Sequence, residues 1–213
     1  MARISLTAAI GEVAARDPAL ANLVAMVGPI RHRPVDPDGH FGALVRAIVF
    51  QQLAGAAARA IHQRVRATVP GELTPEALDR VPDETLRGAG LSAAKLASIR
   101  DLSAKVEDGT VVLGGPRRLS DDDIVASLST VRGIGAWTAE MYLMFELRRL
   151  DVWPVGDLGV RQGYGLTWRI DPPPTAKELV ALAERFRPYR SVVARYCWEA
   201  VALFRGGTDP SLR

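Results

Sequence analysis

Apolar residues recur at three- and four-residue spacing along almost the whole chain, and the breaks between runs fall at glycine, proline or small polar residues. That is the period of helices with one buried face. The pattern predicts helices over residues 4–15 and 18–27, closed by Gly28-Pro29, and then a proline-bearing loop over 31–39. Helices over 40–52 and 55–69 follow, the second rich in alanine and so a good helix former. Thr74 before Pro75 starts a short helix to Val81, and Ser92 caps one running to about Val106. After a loop over 108–116, a helix opens at Ser120 and runs to Val131, and a second spans 136–150. A short helix follows Asp157, a Thr175/Glu178 capping box starts one over 176–187, and 189–204 ends the series. Only 110–113 reads as extended, too short for a sheet. The chain is therefore expected to be all-α.

One junction carries chemistry. Ser120 with Asp121, Asp122 and Asp123 suits a helix start, because the hydroxyl caps free N–H groups and the acids sit at the positive end of the dipole. Ile124, Val125, Leu128 and Val131 then keep helical spacing until Gly133. In Gly133-Ile134-Gly135 two glycines flank an apolar residue, so the chain reverses tightly and another backbone can come close. The next helix starts at Ala136, and its first N–H groups point outward where a phosphate fits. Thr138 is a further donor candidate. The three residues alone suit an ordinary helix-helix turn equally well. An amphipathic helix on each side favours a helix-hairpin-helix grip on a nucleic-acid backbone.

Composition permits this reading without demanding it. The 213 residues are 48% apolar, enough for one sizeable core or two modest ones, and 27 Lys and Arg against 24 Asp and Glu leave a net charge of +3. The single Cys197 excludes an intramolecular disulfide and a multi-cysteine metal site. His32, His40 and His62 lack ligand spacing, so no transition metal is expected. No export signal or membrane span is found, and a cytoplasmic location, at the nucleoid in a bacterium, is the default.

Val131 to Ala139, with Pro154-Val155-Gly156-Asp157-Leu158-Gly159-Val160-Arg161 downstream, resembles the helix-hairpin-helix DNA glycosylases, in particular the alkylpurine or 3-methyladenine glycosylase II branch. Ala47-Ile48-Val49-Phe50-Gln51-Gln52-Leu53 and Gly90-Leu91-Ser92-Ala93-Ala94-Lys95 extend the similarity, which runs from about Phe41 to Cys197. The resemblance implies two helical lobes with a cleft between them: 41–150 as a central barrel carrying the hairpin (about 120–150), and 1–40 with 151–213 as the other. It implies a monomer that binds double-stranded DNA, flips a damaged base and hydrolyses its glycosidic bond.

Within that resemblance Asp157 is the catalytic carboxylate; read alone it is first an N-cap, and the two roles are compatible. Trp137 stands where the lyase branches carry a lysine, so a Schiff base is not expected and the product is an abasic site without a nick. Trp137, Tyr189 and Met141 are base-pocket candidates, each also plausible as core. Gln52 or Leu53 is the candidate wedge for the vacated stack. Arg132, Gly133, Gly135 and Thr138 would bind the DNA backbone. Carbonyls of Ser129, Val131 and Ile134 would hold a monovalent cation, Na or K, with no other cofactor required. One cysteine leaves no place for the four-cysteine iron-sulfur cluster of other branches. The chain departs from the larger bacterial enzyme in lacking its extra N-terminal α/β domain and in having Gly156 where that enzyme has an acid; both put substrate range in doubt. A non-catalytic DNA-binding module, or a glycosylase for another damaged base, are the alternatives.

Overall fold

The computed structural model describes residues 4–114 and 119–205, and these are all-α: among them lie twelve α-helices, one 3-10 turn and no strand. In chain order the helices are α1 (Leu6–Arg16), α2 (Pro18–Val27), α3 (Gly39–Phe50), α4 (Gly55–Ala67), α5 (Pro75–Asp79), α6 (Asp83–Gly88) and α7 (Ala93–Glu107). Then come α8 (Asp121–Leu128), α9 (Ala136–Phe145), α10 (Leu158–Trp168), α11 (Ala176–Leu182), the 3-10 turn Glu184–Phe186 and α12 (Arg190–Arg205).

Local chemistry sets most of these ends. Ser5 Oγ accepts the Ala8 N–H at 3.1 Å, so α1 starts two residues later than the apolar pattern suggests. Capping boxes at Ser120/Asp123 and Thr175/Glu178 open α8 and α11. Five readings need correction. The helix expected over 176–187 ends at Leu182, and a 3-10 turn follows it. α3 stops at Phe50, because Gln52 turns to φ 55. α6 was not expected: Pro82 and two acids in its first turn start it, yet six residues are too few for periodicity to register. α9 ends at Phe145 rather than Leu150, and Arg148 has φ 54. Residues 110–113 form bends and a turn instead of an extended run. The end of the expected loop over 108–116 lies outside the described residues.

Two compact units are present, residues 34–147 and residues 1–33 with 148–213. In the first, α3 buries Phe41, Leu44, Val45, Ile48 and Val49 and packs against α4, α7 and α9, with Ile99, Leu102 and Leu143 closing the core. Each such side chain contributes about 1.5–3 kcal/mol on burial.

In the other unit α10 lies against α12 with their backbones in close approach at Gly163. A Cβ on Gly163 would stand 1.9 Å from the Cys197 carbonyl oxygen. α2 packs on both helices, and Asp17 between α1 and α2 takes the Leu20 N–H, the Trp168 indole N–H and Arg185, each within 3.1 Å. A buried carboxylate this well supplied with donors fixes the helix ends around it.

Candidate functional site

The hairpin is built from its apolar residues outward. Val131 and Ile134 are buried and hold the turn down, while Arg132 and Gly133 between them and Gly135 after them are exposed. Gly133 has φ 77, and a Cβ there would meet Ser98 Oγ at 2.6 Å, so both its conformation and its neighbour demand glycine. Gly135 is the N-cap of α9 and brings no capping side chain to the first-turn N–H groups. A ten-residue helix begins at the surface with its positive end uncapped, the arrangement that attracts a phosphate.

The turn is tied from below. Asp101 Oδ2 accepts the Arg132 backbone N–H at 2.7 Å and the Lys105 ammonium at 2.8 Å. Lys105 also donates to the Thr130 carbonyl. These bonds, the Lys105 one first, hold the Asp101 carboxyl below its ordinary value. Arg132 therefore spends its backbone N–H inside the protein and has only its side chain to offer a ligand. Thr138 is 7% exposed, its side chain sunk into the packed side of α9.

Trp137 is on the surface, 49% exposed, and Met141, half-buried, follows one turn later on the same face of α9. The core-aromatic reading of Trp137 is thereby corrected. In the same unit Gln52 and Leu53 form an exposed corner after α3, with Leu53 39% exposed and Gln52 in the left-handed region.

Asp157 belongs to the other unit. It is the N-cap of α10, and its Oδ1 accepts the Val160 backbone N–H at 2.7 Å and the Trp198 indole N–H at 2.9 Å. Gly159 is required beneath this pair, since a Cβ would lie 2.9 Å from the Trp198 ring. Leu158, directly beside the carboxylate, is 60% exposed, an unusual position for leucine. Cys197 is fully buried next to Trp198, and burial first, then the Asp157 charge, pushes its thiol far above the ordinary range. Tyr189 shares this unit but turns to α1: its hydroxyl is 3.5 Å from Glu12 and the Arg16 guanidinium lies 5.7 Å over its ring.

The sequence reading missed Trp198 and Leu158. Trp198 sits far along the chain, so no local spacing links it to Asp157, and only Gly159 hints at a bulky neighbour. Among the described residues no cluster of three or more His, Cys, Asp or Glu could hold a metal ion, and no helix is long and apolar enough to cross a membrane.

With this geometry in view, the comparisons are specific. The profile of the HhH-GPD superfamily base excision DNA repair proteins matches residues 45–188. DNA-3-methyladenine glycosylase 1 of Schizosaccharomyces pombe is 33% identical, over 93% of this chain and 89% of its own length. The crystal structure of a DNA-3-methyladenine glycosidase from Bacillus halodurans superposes with a TM-score of 0.84 at 36% identity, covering 93% of this chain and 91% of that one. A 3-methyladenine DNA glycosylase from S. pombe in complex with abasic DNA superposes with a TM-score of 0.78 at 30% identity, covering 94% and 99%. An uncapped glycine hairpin in one unit and a carboxylate capping a helix in the other thus sit within a chain-length match, and the protein belongs to the HhH-GPD superfamily of base excision DNA repair proteins.

Proposed function

We propose that the protein is a monofunctional DNA glycosylase that excises alkylated purines, of the 3-methyladenine and 7-methylguanine type, from double-stranded DNA and leaves an abasic site. The observation that carries this reading is Asp157 Oδ1 fixed by two N–H donors at the N-terminus of α10. It is supported by relatives whose names state 3-methyladenine glycosylase activity, one of them solved on abasic DNA.

Alkylation at a ring nitrogen makes the purine cationic, so it leaves with the glycosidic electron pair and needs no general acid. The sugar is left with positive charge, and a carboxylate stabilises it or orients the attacking water. At about 4 Å and an effective dielectric near 20, that attraction is roughly 4 kcal/mol, about a thousandfold in rate. Water then adds to the anomeric carbon and loses a proton. With Trp137 where the lyase branches carry lysine, no amine attacks instead. The exposed indole of Trp137, with Met141 beside it, offers an electron-rich face to an electron-poor base, worth about 1–2 kcal/mol where dry. The exposed Arg132, Gly133 and Gly135 would hold the DNA backbone. Carbonyls of Ser129, Val131 and Ile134 would hold a monovalent cation that offsets phosphate charge. Of these, the Val131 carbonyl accepts the Ile134 N–H at 3.0 Å and keeps a second lone pair for such an ion.

The test is base release from methylated duplex by the wild type and by Asp157→Asn, with strand breaks scored before and after alkali. The expected result is release by the wild type, a fall of about a hundredfold or more in the variant, and breaks only after alkali. Equal release by both proteins removes Asp157 from the mechanism. Binding without release by either leaves a DNA-binding module.

A further inference from the structure

Lys95 sits in the first turn of α7, just after the Ser92 cap, and its ammonium reaches the last carbonyls of α3, donating to Val49 at 2.7 Å and Gln51 at 2.9 Å. Those carbonyls would otherwise end the helix without partners, and a cation suits the negative end of its dipole. Burial lowers the ammonium's pKa, so the contact holds Lys95 at a cost to its solvation. Gln51 then uses its side chain in the opposite direction: Nε2 donates to the Gly133 carbonyl at 2.9 Å. One residue further Gln52 adopts φ 55, a conformation that side-chain-bearing residues avoid, and Leu53 projects at 39% exposure. Strain next to an exposed apolar side chain persists only where the surroundings enforce it. Here they consist of α7 beneath and the hairpin apex beside.

We propose that Lys95 and Gln51 are positioning residues that tie the Gln52-Leu53 corner to the hairpin turn at Gly133, so that the backbone grip and the wedge move as one body. This rests on the reading of Gln52 and Leu53 as the element that fills the vacated base stack. A hairpin seated on a phosphate then delivers Leu53 at a set distance along the same duplex, without a separate loop-ordering step. The tie costs nothing on ordinary duplex, where no gap exists to fill, and acts only where a nucleotide is missing from the stack. Lys95 acts through the carbonyls, and Gln51 through the turn; neither is required to touch DNA.

The experiment compares binding to an undamaged duplex with binding to the same duplex carrying a tetrahydrofuran abasic site, read with 2-aminopurine fluorescence beside the site. Proteins are the wild type, Lys95→Met, Gln51→Ala, Leu53→Ala and the double variant Lys95→Met/Leu53→Ala. The expected result for Lys95→Met and for Gln51→Ala is a loss of about tenfold in preference for the abasic duplex, with undamaged-duplex affinity within about twofold. The double variant is expected to be no worse than Leu53→Ala alone, because a wedge already removed cannot be mispositioned. A loss of preference in Leu53→Ala with full preference in both positioning variants overturns the tie. Full preference in Leu53→Ala removes the wedge reading and the tie with it. Should Lys95→Met melt early, Gln51→Ala decides alone, since its side chain makes a part-exposed surface bond that the core does not need.

Discussion

Trp198 donates its indole N–H to Asp157 Oδ1, the oxygen that also accepts the Val160 backbone N–H. The two donors arrive from different helices, α12 and α10, and together they fix the carboxylate's rotation about its own side chain. A helix N-cap alone would need only the second bond. Under the proposed catalytic role of Asp157, the first one gives Trp198 the part of a positioning residue.

Trp198→Phe keeps the ring and deletes the donor. Single-turnover base release is expected to slow by about tenfold to a hundredfold, the worth of one hydrogen bond to a charged group, while DNA affinity holds. A drop in affinity with an unchanged rate would contradict the positioning role.

Gly163 sets the spacing of α10 and α12, so Gly163→Ala drives a methyl into the Cys197 carbonyl, 1.9 Å away. Backbone on both sides cannot give way as a flexible side chain would. The expected destabilisation is about 3 kcal/mol or more, read as a fall of roughly 6–12 °C in Tm. A melt within a degree or two of wild type would show that the helices part at no cost.

Gly133→Ala adds two penalties, positive φ and a 2.6 Å approach to Ser98 Oγ. The left-handed conformation alone costs about 1–2 kcal/mol, so affinity for undamaged duplex is expected to fall by about tenfold or more. Adding Ser98→Ala removes the collision and leaves the torsion, and partial recovery in the double variant separates the two. Full recovery would mean the torsion is tolerated.

Asp101 gives a pH dependence of definite sign. Its folded-state pKa lies below the unfolded value of about 3.9, so its contribution is present above that value and is lost as pH falls through the folded pKa. Because the pair with Lys105 is partly exposed to solvent, the effect is about 1 kcal/mol or less. Asp101→Asn is expected to lower Tm by about 1–3 °C at pH 7, with the gap to wild type narrowing as pH falls below the unfolded carboxyl value and through the lower folded one. A constant gap across that range would assign the loss to packing.

What the sequence made legible follows from how local each feature is. Caps at Ser92, Ser120 and Thr175, and the glycine hairpin, depend on residues within a turn of one another, and helix placement was readable from them. Asp157 as an N-cap was readable for the same reason. The failures are non-local or too short. α9 is apolar nearly all round, so its pattern assigns no inward face, and Thr138 was placed outside while Trp137 kept a core alternative. α6 is shorter than two turns. Trp198 and Lys95 act on groups distant in the chain, and each looks like an ordinary helix residue until folded.

The two units are unlike in one more respect. The hairpin unit is one uninterrupted stretch, 34–147, whereas the unit that holds Asp157 is assembled from the beginning and the end of the chain. During synthesis the hairpin unit is complete before Asp157 has been translated, and the carboxylate lacks its indole partner until α12 has left the ribosome. A chain shortened before α12 therefore keeps the whole hairpin unit while Asp157 is left without its indole partner.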